Sequence, residues 1–100
     1  MTRLIRVPLL IPTWAAAQVL FPNMIFVRWD VHASRRLIAH ELVHVEQIER
    51  YGLLGYWFRY VALLVMYGYD EHPMENEARA LESTTVWLER AATVLEVSDA

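Results

Sequence analysis

Three polar residues within an apolar helical pattern are the feature that most constrains this chain. Residues 40–44 read His-Glu-Leu-Val-His. Residues four apart face the same way on a helix, so His40 and His44 would lie on one face with Glu41 beside them. Leu37 lies on that face too, so it is expected to point inward. Two imidazoles and a carboxylate buried without partners are costly, and a bound metal ion would offset that cost.

Chance is a poor explanation for this run. With 4 His and 9 Glu in 100 residues, the pattern His-Glu-x-x-His is expected by accident in roughly 1% of chains of this composition. The run therefore predicts a metal site on the helix that contains it.

Composition limits the class of protein. A chain of 100 residues supports one hydrophobic core, so we expect a single domain over residues 1–100. The hydrophobic share of 56% predicts apolar surface left for a partner protein, a second copy in a homodimer, or a membrane face. The net charge of −3 supplies no basic stripe and argues against nucleic acid. Without cysteine, a transition metal must be held by His, Asp or Glu.

Two segments bear on the membrane. Residues 1–18 resemble an export signal, with two arginines before an apolar run and three alanines after it. Two prolines interrupt that run, so we favour a cytoplasmic protein that keeps the segment, with secretion as the alternative. Residues 53–69 are also apolar but include Arg59 and lie at the lower limit of the ~17–25 residues that span a bilayer. They predict a buried or interfacial helix, and membrane contact is the less favoured alternative.

The N-terminal part of the chain predicts a small sheet. Residues 3–10 and 18–28 are rich in Val, Ile, Leu and Phe, and residues 21–24, Phe-Pro-Asn-Met, are typical of a turn between two strands. We expect a short antiparallel sheet with a hairpin. Residues 12–17 could instead form a helical turn, because Pro12 suits a first helical position.

The first predicted helix carries the polar run. Its apolar residues recur at helical spacing from about Ala33, and Gly52 is expected to end it. Asp30 and Ser34 are both able to cap its N-terminus.

Two further helices are predicted to follow. Residues 55–67 are apolar on nearly all sides, which indicates a buried or partnered helix that ends at Gly68. The third runs from Pro73, which suits a first turn, to about Val94. The fold class is therefore α+β, with a short antiparallel N-terminal hairpin or sheet followed by three helices around one core. Four aromatic residues are expected in that core: Trp57, Phe58, Tyr60 and Trp87.

The polar run has the chemistry of a zinc hydrolase. A catalytic zinc takes imidazole nitrogens at ~2.0–2.1 Å and usually has three protein ligands and one water. His40 and His44 supply two ligands, and Glu41 is placed to accept the proton of the water. The third ligand must come from elsewhere, and residues 72–80 offer three candidates: His72, Glu75 and Glu77.

The combination resembles the gluzincin metallopeptidases, in which the glutamate of an Asn-Glu-Ala run completes the zinc site. That run stands here at residues 76–78. The chain is most similar to the minimal stand-alone members, which have a strand before the His-Glu helix, a glutamine three residues past the second histidine, and a Pro-x-Glu-x-Glu-Ala helix. The corresponding residues are 24–30, Gln47 and 73–78. The resemblance covers about residues 18–85 and implies a minimal zincin-like fold.

The resemblance implies that His40, His44 and Glu77 bind Zn²⁺ and that Glu41 is the general base. Glu75 and Glu77 lie about 200° apart around a helix, so they cannot share one face, and Glu77 is preferred. Glu75 then becomes a first-turn carboxylate that favours the helix dipole. The chain departs from the family where an Asp often follows the ligand glutamate by four residues. That position is Leu81, with Glu82 next to it.

We therefore predict a zinc-dependent metallopeptidase that hydrolyses peptide bonds in a peptide or protein substrate. The alternative is a domain without turnover, in which zinc staples helices together and the apolar surface binds a partner. A peptidase also needs a donor for the oxyanion, and the sequence does not choose among Tyr69, His72 and Arg79.

Overall fold

The computed structural model describes residues 2–8 and 16–99 and confirms the α+β class. A three-stranded sheet precedes the helices. Its strands are β1 (Arg3–Val7), β2 (Ala17–Phe21) and β3 (Met24–Arg28). The helices are α1 (Arg35–Tyr51), α2 (Leu53–Tyr67), α3 (Pro73–Leu81) and α4 (Thr85–Asp99). Residues 12–15 of the alternative helical turn lie outside the described residues, and Ala17 of that turn begins β2.

The hairpin forms where the sequence predicted it. β2 and β3 are antiparallel, with Phe21 opposite Met24. Pro22 and Asn23 make the turn, and Asn23 has a φ of 60°, a left-handed conformation that asparagine tolerates better than most residues.

The sheet is mixed, which corrects the expectation of a purely antiparallel one. β1 pairs with β3 in parallel, from Arg3 opposite Met24 to Val7 opposite Arg28. The strand order is β1-β3-β2, so β2 forms an edge next to the helices. The physical reason is the connection: the two-residue turn forces antiparallel pairing of β2 with β3, whereas the longer segment after β1 permits a parallel crossover.

Helix α1 is the centre of the fold and contacts the sheet and each of the other helices. Ser34 caps it by accepting a hydrogen bond from the Leu37 backbone N–H at 3.1 Å. Asp30 does not cap this helix and instead accepts from Arg28 Nε at 2.6 Å. Gly52, with a φ of 75°, ends it as predicted.

The third predicted helix is in fact two helices, α3 and α4. The chain turns at residues 82–84, where the Thr84 hydroxyl donates to the Leu81 carbonyl at 2.7 Å. Serine and threonine hydroxyls compete in this way with helical backbone hydrogen bonds. After the turn, α4 packs the apolar residues Trp87, Ala91 and Val94 into the core.

Helix α2 is only partly covered, so of the two alternatives expected, buried or partnered, the structure does not show the first, and the second stays a prediction. Tyr56 is buried, and Trp57 Nε1 donates to the Leu20 carbonyl of β2 at 3.1 Å. Phe58, expected in the core, is 78% exposed because it lies on the opposite side of the helix. Among the helices of the described chain, none combines the length and the hydropathy that crossing a bilayer requires.

Candidate metal centre

Two helices bring the candidate ligands together. His40 and His44 lie one turn apart on α1, with ring centroids 5.1 Å apart. Glu75, in the first turn of α3, points between them. Its Oε1 is 3.0 Å from Nε2 of His40 and 3.0 Å from Nε2 of His44. The three ligand atoms lie within 4.8 Å of one another.

The other nitrogen of each histidine is held by a neighbour. His40 Nδ1 lies 3.3 Å from Glu82 Oε2, and His44 Nδ1 lies 2.9 Å from Gln47 Oε1. Both neighbours can accept a proton from Nδ1, which leaves each Nε2 to contact Glu75. Such partners fix the ring orientation of histidine ligands in metal sites.

The donor set fits a divalent transition metal. Two imidazole nitrogens and a carboxylate oxygen converge in a buried place, where their lone pairs call for a shared proton or a cation. Ligands at ~2.0–2.1 Å from a tetrahedral zinc lie about 3.3–3.5 Å apart. The observed 3.0 Å separations therefore need to open by only a few tenths of an ångström. His40, His44 and Glu75 would hold the ion, a set that suits zinc without being specific to it.

The charged groups of the site shift the pKa values of one another. Burial alone would raise the pKa of Glu75, but hydrogen bonds from His40 and His44 hold it well below its usual range. Burial alone would lower the pKa of His44, but the hydrogen bond to Glu75 and the charge of Glu41 outweigh burial and raise it. The pocket thus stabilises positive charge between the carboxylates, as a cation site requires.

Glu75 is also positioned from α2. The Tyr60 hydroxyl donates to Glu75 Oε2. Burial and this hydrogen bond raise the pKa of Tyr60, so it remains a neutral donor. His72 then fixes the start of α3: its Nδ1 accepts from the Met74 backbone N–H at 3.1 Å, and its Nε2 donates to the Tyr60 carbonyl at 2.8 Å.

Glu77, the ligand preferred from the sequence, lies elsewhere. It accepts from Gln47 Nε2 at 2.9 Å and pairs with Arg50 at 3.4 Å. α3 packs on α1 with its Glu75 side towards the histidines, so Glu77 lies outside the cluster, and which glutamate binds a metal stays a prediction. The glutamine that orients His44 therefore also separates Glu77 from the cluster.

Glu41 lies in the groove that contains the ligands. It is 6% exposed. Burial raises its pKa, and the charges of His44 and His40 only partly oppose that rise. A raised pKa makes a carboxylate a better proton acceptor near neutral pH. The groove has a volume of about 610 Å³, and β2 and α2 form its walls.

The three candidate oxyanion donors are placed differently. His72 is fully buried and uses both ring nitrogens. Arg79 donates to the Asp70 carbonyl at 2.9 Å and to Asn76 Oδ1 at 2.8 Å. Tyr69 is half exposed and lines the groove with the ligands. Burial and the nearby charge of Glu75 raise its pKa, which keeps its hydroxyl protonated.

The sequence missed three supporting residues. Gln47 is part of the sequence motif, but its contact with His44 is indicated only by its position three residues further along the helix. Glu82 is indicated only by its spacing of seven residues from Glu75, which places both on one helix face. Tyr60 gave no signal, because its contact with Glu75 depends on how α2 packs beside α3.

Searches against protein families, curated proteins and solved structures found no match to this chain. The gluzincin resemblance therefore rests on the motif residues of the sequence alone.

Proposed function

We propose that this protein is a zinc-dependent metallopeptidase. The observation that carries the proposal is the presence of Glu41 in the same groove as the His40, His44 and Glu75 cluster. A purely structural metal site gains nothing from a buried carboxylate beside it, and burying one is costly. The cytoplasmic location inferred from the N-terminal sequence stays a prediction.

In the proposed reaction each residue of the site has its own role. Zn²⁺ supplies Lewis-acid chemistry when bound, lowering the pKa of water from ~15.7 towards ~7. Glu41 accepts the proton of the attacking water and delivers it to the leaving amine. The Tyr69 hydroxyl donates to the carbonyl oxygen as negative charge develops there. Glu82 and Gln47 keep the imidazoles in place, and Tyr60 does the same for Glu75.

The groove suits an extended peptide. Among the described residues, β2 pairs with β3 alone, so its other edge faces the groove beside the ligands. A peptide that adds to this edge would place its backbone across the metal centre, with affinity from main-chain hydrogen bonds. Trp57, Leu64 and Tyr69 would contact its side chains.

The proposal is tested by metal content and turnover together. Elemental analysis of the purified protein should find one zinc per chain. A broad peptide library should be cleaved by the zinc-loaded protein and left intact after treatment with a strong chelator. Full zinc occupancy with no cleavage of any library member would favour the stapled interaction domain and would end the peptidase proposal.

Glu82→Gln should weaken zinc binding. The substitution removes the negative charge beside His40 Nδ1 and leaves the metal ligands in place. Loss of such an outer partner typically costs about 10–100-fold in metal affinity. Competition with a chromophoric chelator measures the change, and Glu89→Gln on the exposed side of α4 is the control. Equal zinc affinity in both variants would show that Glu82 does not support His40.

Tyr69→Phe should lower kcat by about 100–1,000-fold, because that is the typical cost of removing one oxyanion donor. Zinc content should not change, since Tyr69 is not a ligand. Tyr67→Phe is a matched control, because Tyr67 is 50% exposed and Tyr69 is 55% exposed. Steady-state kinetics on one cleaved peptide compare them. A Tyr69→Phe variant with wild-type kcat would remove Tyr69 from the mechanism.

A further inference from the structure

The outer side of α2 carries a continuous apolar surface. Leu54, Phe58, Val61 and Val65, here called the outer seam, are between 53% and 86% exposed. Their successive spacings are four, three and four residues. That spacing is typical of a helix that packs against another helix, because it keeps each side chain on one narrow face.

No charge interrupts the outer seam. The only charged residue in α2 is Arg59, and its guanidinium lies over the Tyr51 ring at 4.5 Å. The four residues of the outer seam expose a surface on the order of 500 Å², more than half of the ~800 Å² that each partner buries in a standard protein interface. A contiguous apolar patch of that size on a protein surface is often functional.

The charges around α2 favour a protein partner over a lipid surface. Helices that lie on membranes carry Lys or Arg on their polar face. The chain has no lysine, Arg59 is the one cation of α2, and the residues that follow α2 include Asp70 and Glu71. Anionic lipid headgroups would repel these two carboxylates.

We propose that the outer seam is a homodimer interface, in which α2 packs antiparallel against α2 of a second copy. A two-fold axis between Phe58 and Val61 would pair those two residues across the interface and pair Leu54 with Val65. The antiparallel arrangement keeps Asp70 and Glu71 of one copy away from the same pair in the other. A parallel arrangement would place the two acidic pairs side by side.

The dimer explains why α2 is so apolar on the side away from the core. It does not depend on the metal centre being catalytic, because the outer seam and the ligands lie on opposite sides of α2. It does place the second copy behind the groove wall formed by Trp57, Tyr60 and Leu64.

Sedimentation equilibrium of the zinc-loaded protein tests the proposal. The wild type should be dimeric at about 100 µM, a concentration well above the micromolar dissociation constants of modest protein complexes. Val61→Glu should raise the dimer dissociation constant by at least about 100-fold, because it buries two unpaired charges. Val86→Glu on α4 is the matched control, since Val86 is 58% exposed and Val61 is 53% exposed. Circular dichroism and zinc content should match in the two variants.

Cysteine cross-linking tests the direction of packing, because the chain has no cysteine of its own. In an oxidised mixture of Leu54→Cys and Val65→Cys chains, the antiparallel dimer yields mainly the mixed disulfide. A parallel dimer yields the two like pairs instead and would overturn the antiparallel arrangement.

Three results would overturn the interface itself. One is a monomeric wild type at about 100 µM, far above the micromolar range of modest protein affinities. Another is a Val61→Glu variant that stays dimeric. The third is a monomer that sediments with phosphatidylcholine–phosphatidylglycerol vesicles, which would assign the outer seam to membrane.

Discussion

Glu41→Gln should retain zinc and lose peptidase activity. The amide matches the carboxylate in shape but cannot accept a proton from water, and loss of a general base typically lowers kcat by about 10²–10⁴-fold. Zinc affinity should change little, because the proposed ligands are His40, His44 and Glu75. The measurements are kcat on a cleaved peptide and zinc content on the same sample.

The stability of Glu41→Gln gives an independent readout. Because burial raises the pKa of Glu41, the folded state favours the protonated carboxyl. That stabilisation is present below the pKa of the unfolded chain and is lost as pH rises through the folded value. Metal-free Glu41→Gln should therefore gain in melting temperature over the wild type as pH rises.

Glu49→Gln, on the exposed side of α1, controls for a general effect of removing an acidic residue from this helix. It should keep wild-type activity and show no such dependence of melting temperature on pH. Wild-type turnover in Glu41→Gln would exclude Glu41 as the base. Unchanged zinc with no turnover in either protein would instead support the stapled domain.

Glu75→Gln should lose zinc, and Glu77→Gln should keep it. Glu75 contributes the only carboxylate oxygen in the ligand cluster, whereas Glu77 is turned to Gln47 and Arg50. Loss of a direct ligand should weaken zinc binding beyond the ~10–100-fold that outer partners contribute. Both substitutions remove one negative charge from α3, so they form a matched pair.

Zinc binding and melting temperature should change together in this pair. An ion that binds only the folded state raises stability, so excess zinc should raise the melting temperature of Glu77→Gln and leave Glu75→Gln nearly unaffected. The reverse pattern would reinstate Glu77 as the ligand and would contradict the packing of α3. Melting temperatures measured over a zinc titration distinguish the two patterns.

The parts of the fold that local chemistry determines could be predicted from the sequence. Ser34 and Gly52 bound α1, and the Pro22-Asn23 turn makes the hairpin, because capping and turn formation involve only near neighbours. The parallel pairing of β1 could not be predicted, since its partner lies about twenty residues away. The turn between α3 and α4 has a signal in Ser83 and Thr84, because serine and threonine hydroxyls compete with helical backbone hydrogen bonds. The prediction of one long helix places both residues in a helix interior.

The candidate metal centre also has a part that local spacing predicts and a part that depends on packing. His40 and His44 lie one turn apart on one helix, so their joint orientation follows from spacing. The choice between Glu75 and Glu77 does not, because it depends on the rotation of α3 against α1. Glu82 follows Glu75 by seven residues and keeps helical backbone angles, so both side chains lie on the face of α3 that meets His40, and their spacing is a signal in the sequence.

Tyr60 links the position of α2 along its axis to the geometry of the candidate metal ligands. Its carbonyl accepts from His72, and its hydroxyl donates to Glu75. A slide of α2 by one residue, about 1.5 Å, would break both contacts together. If zinc binds at this site as proposed, a displacement of α2 from outside should therefore speed the release of the ion.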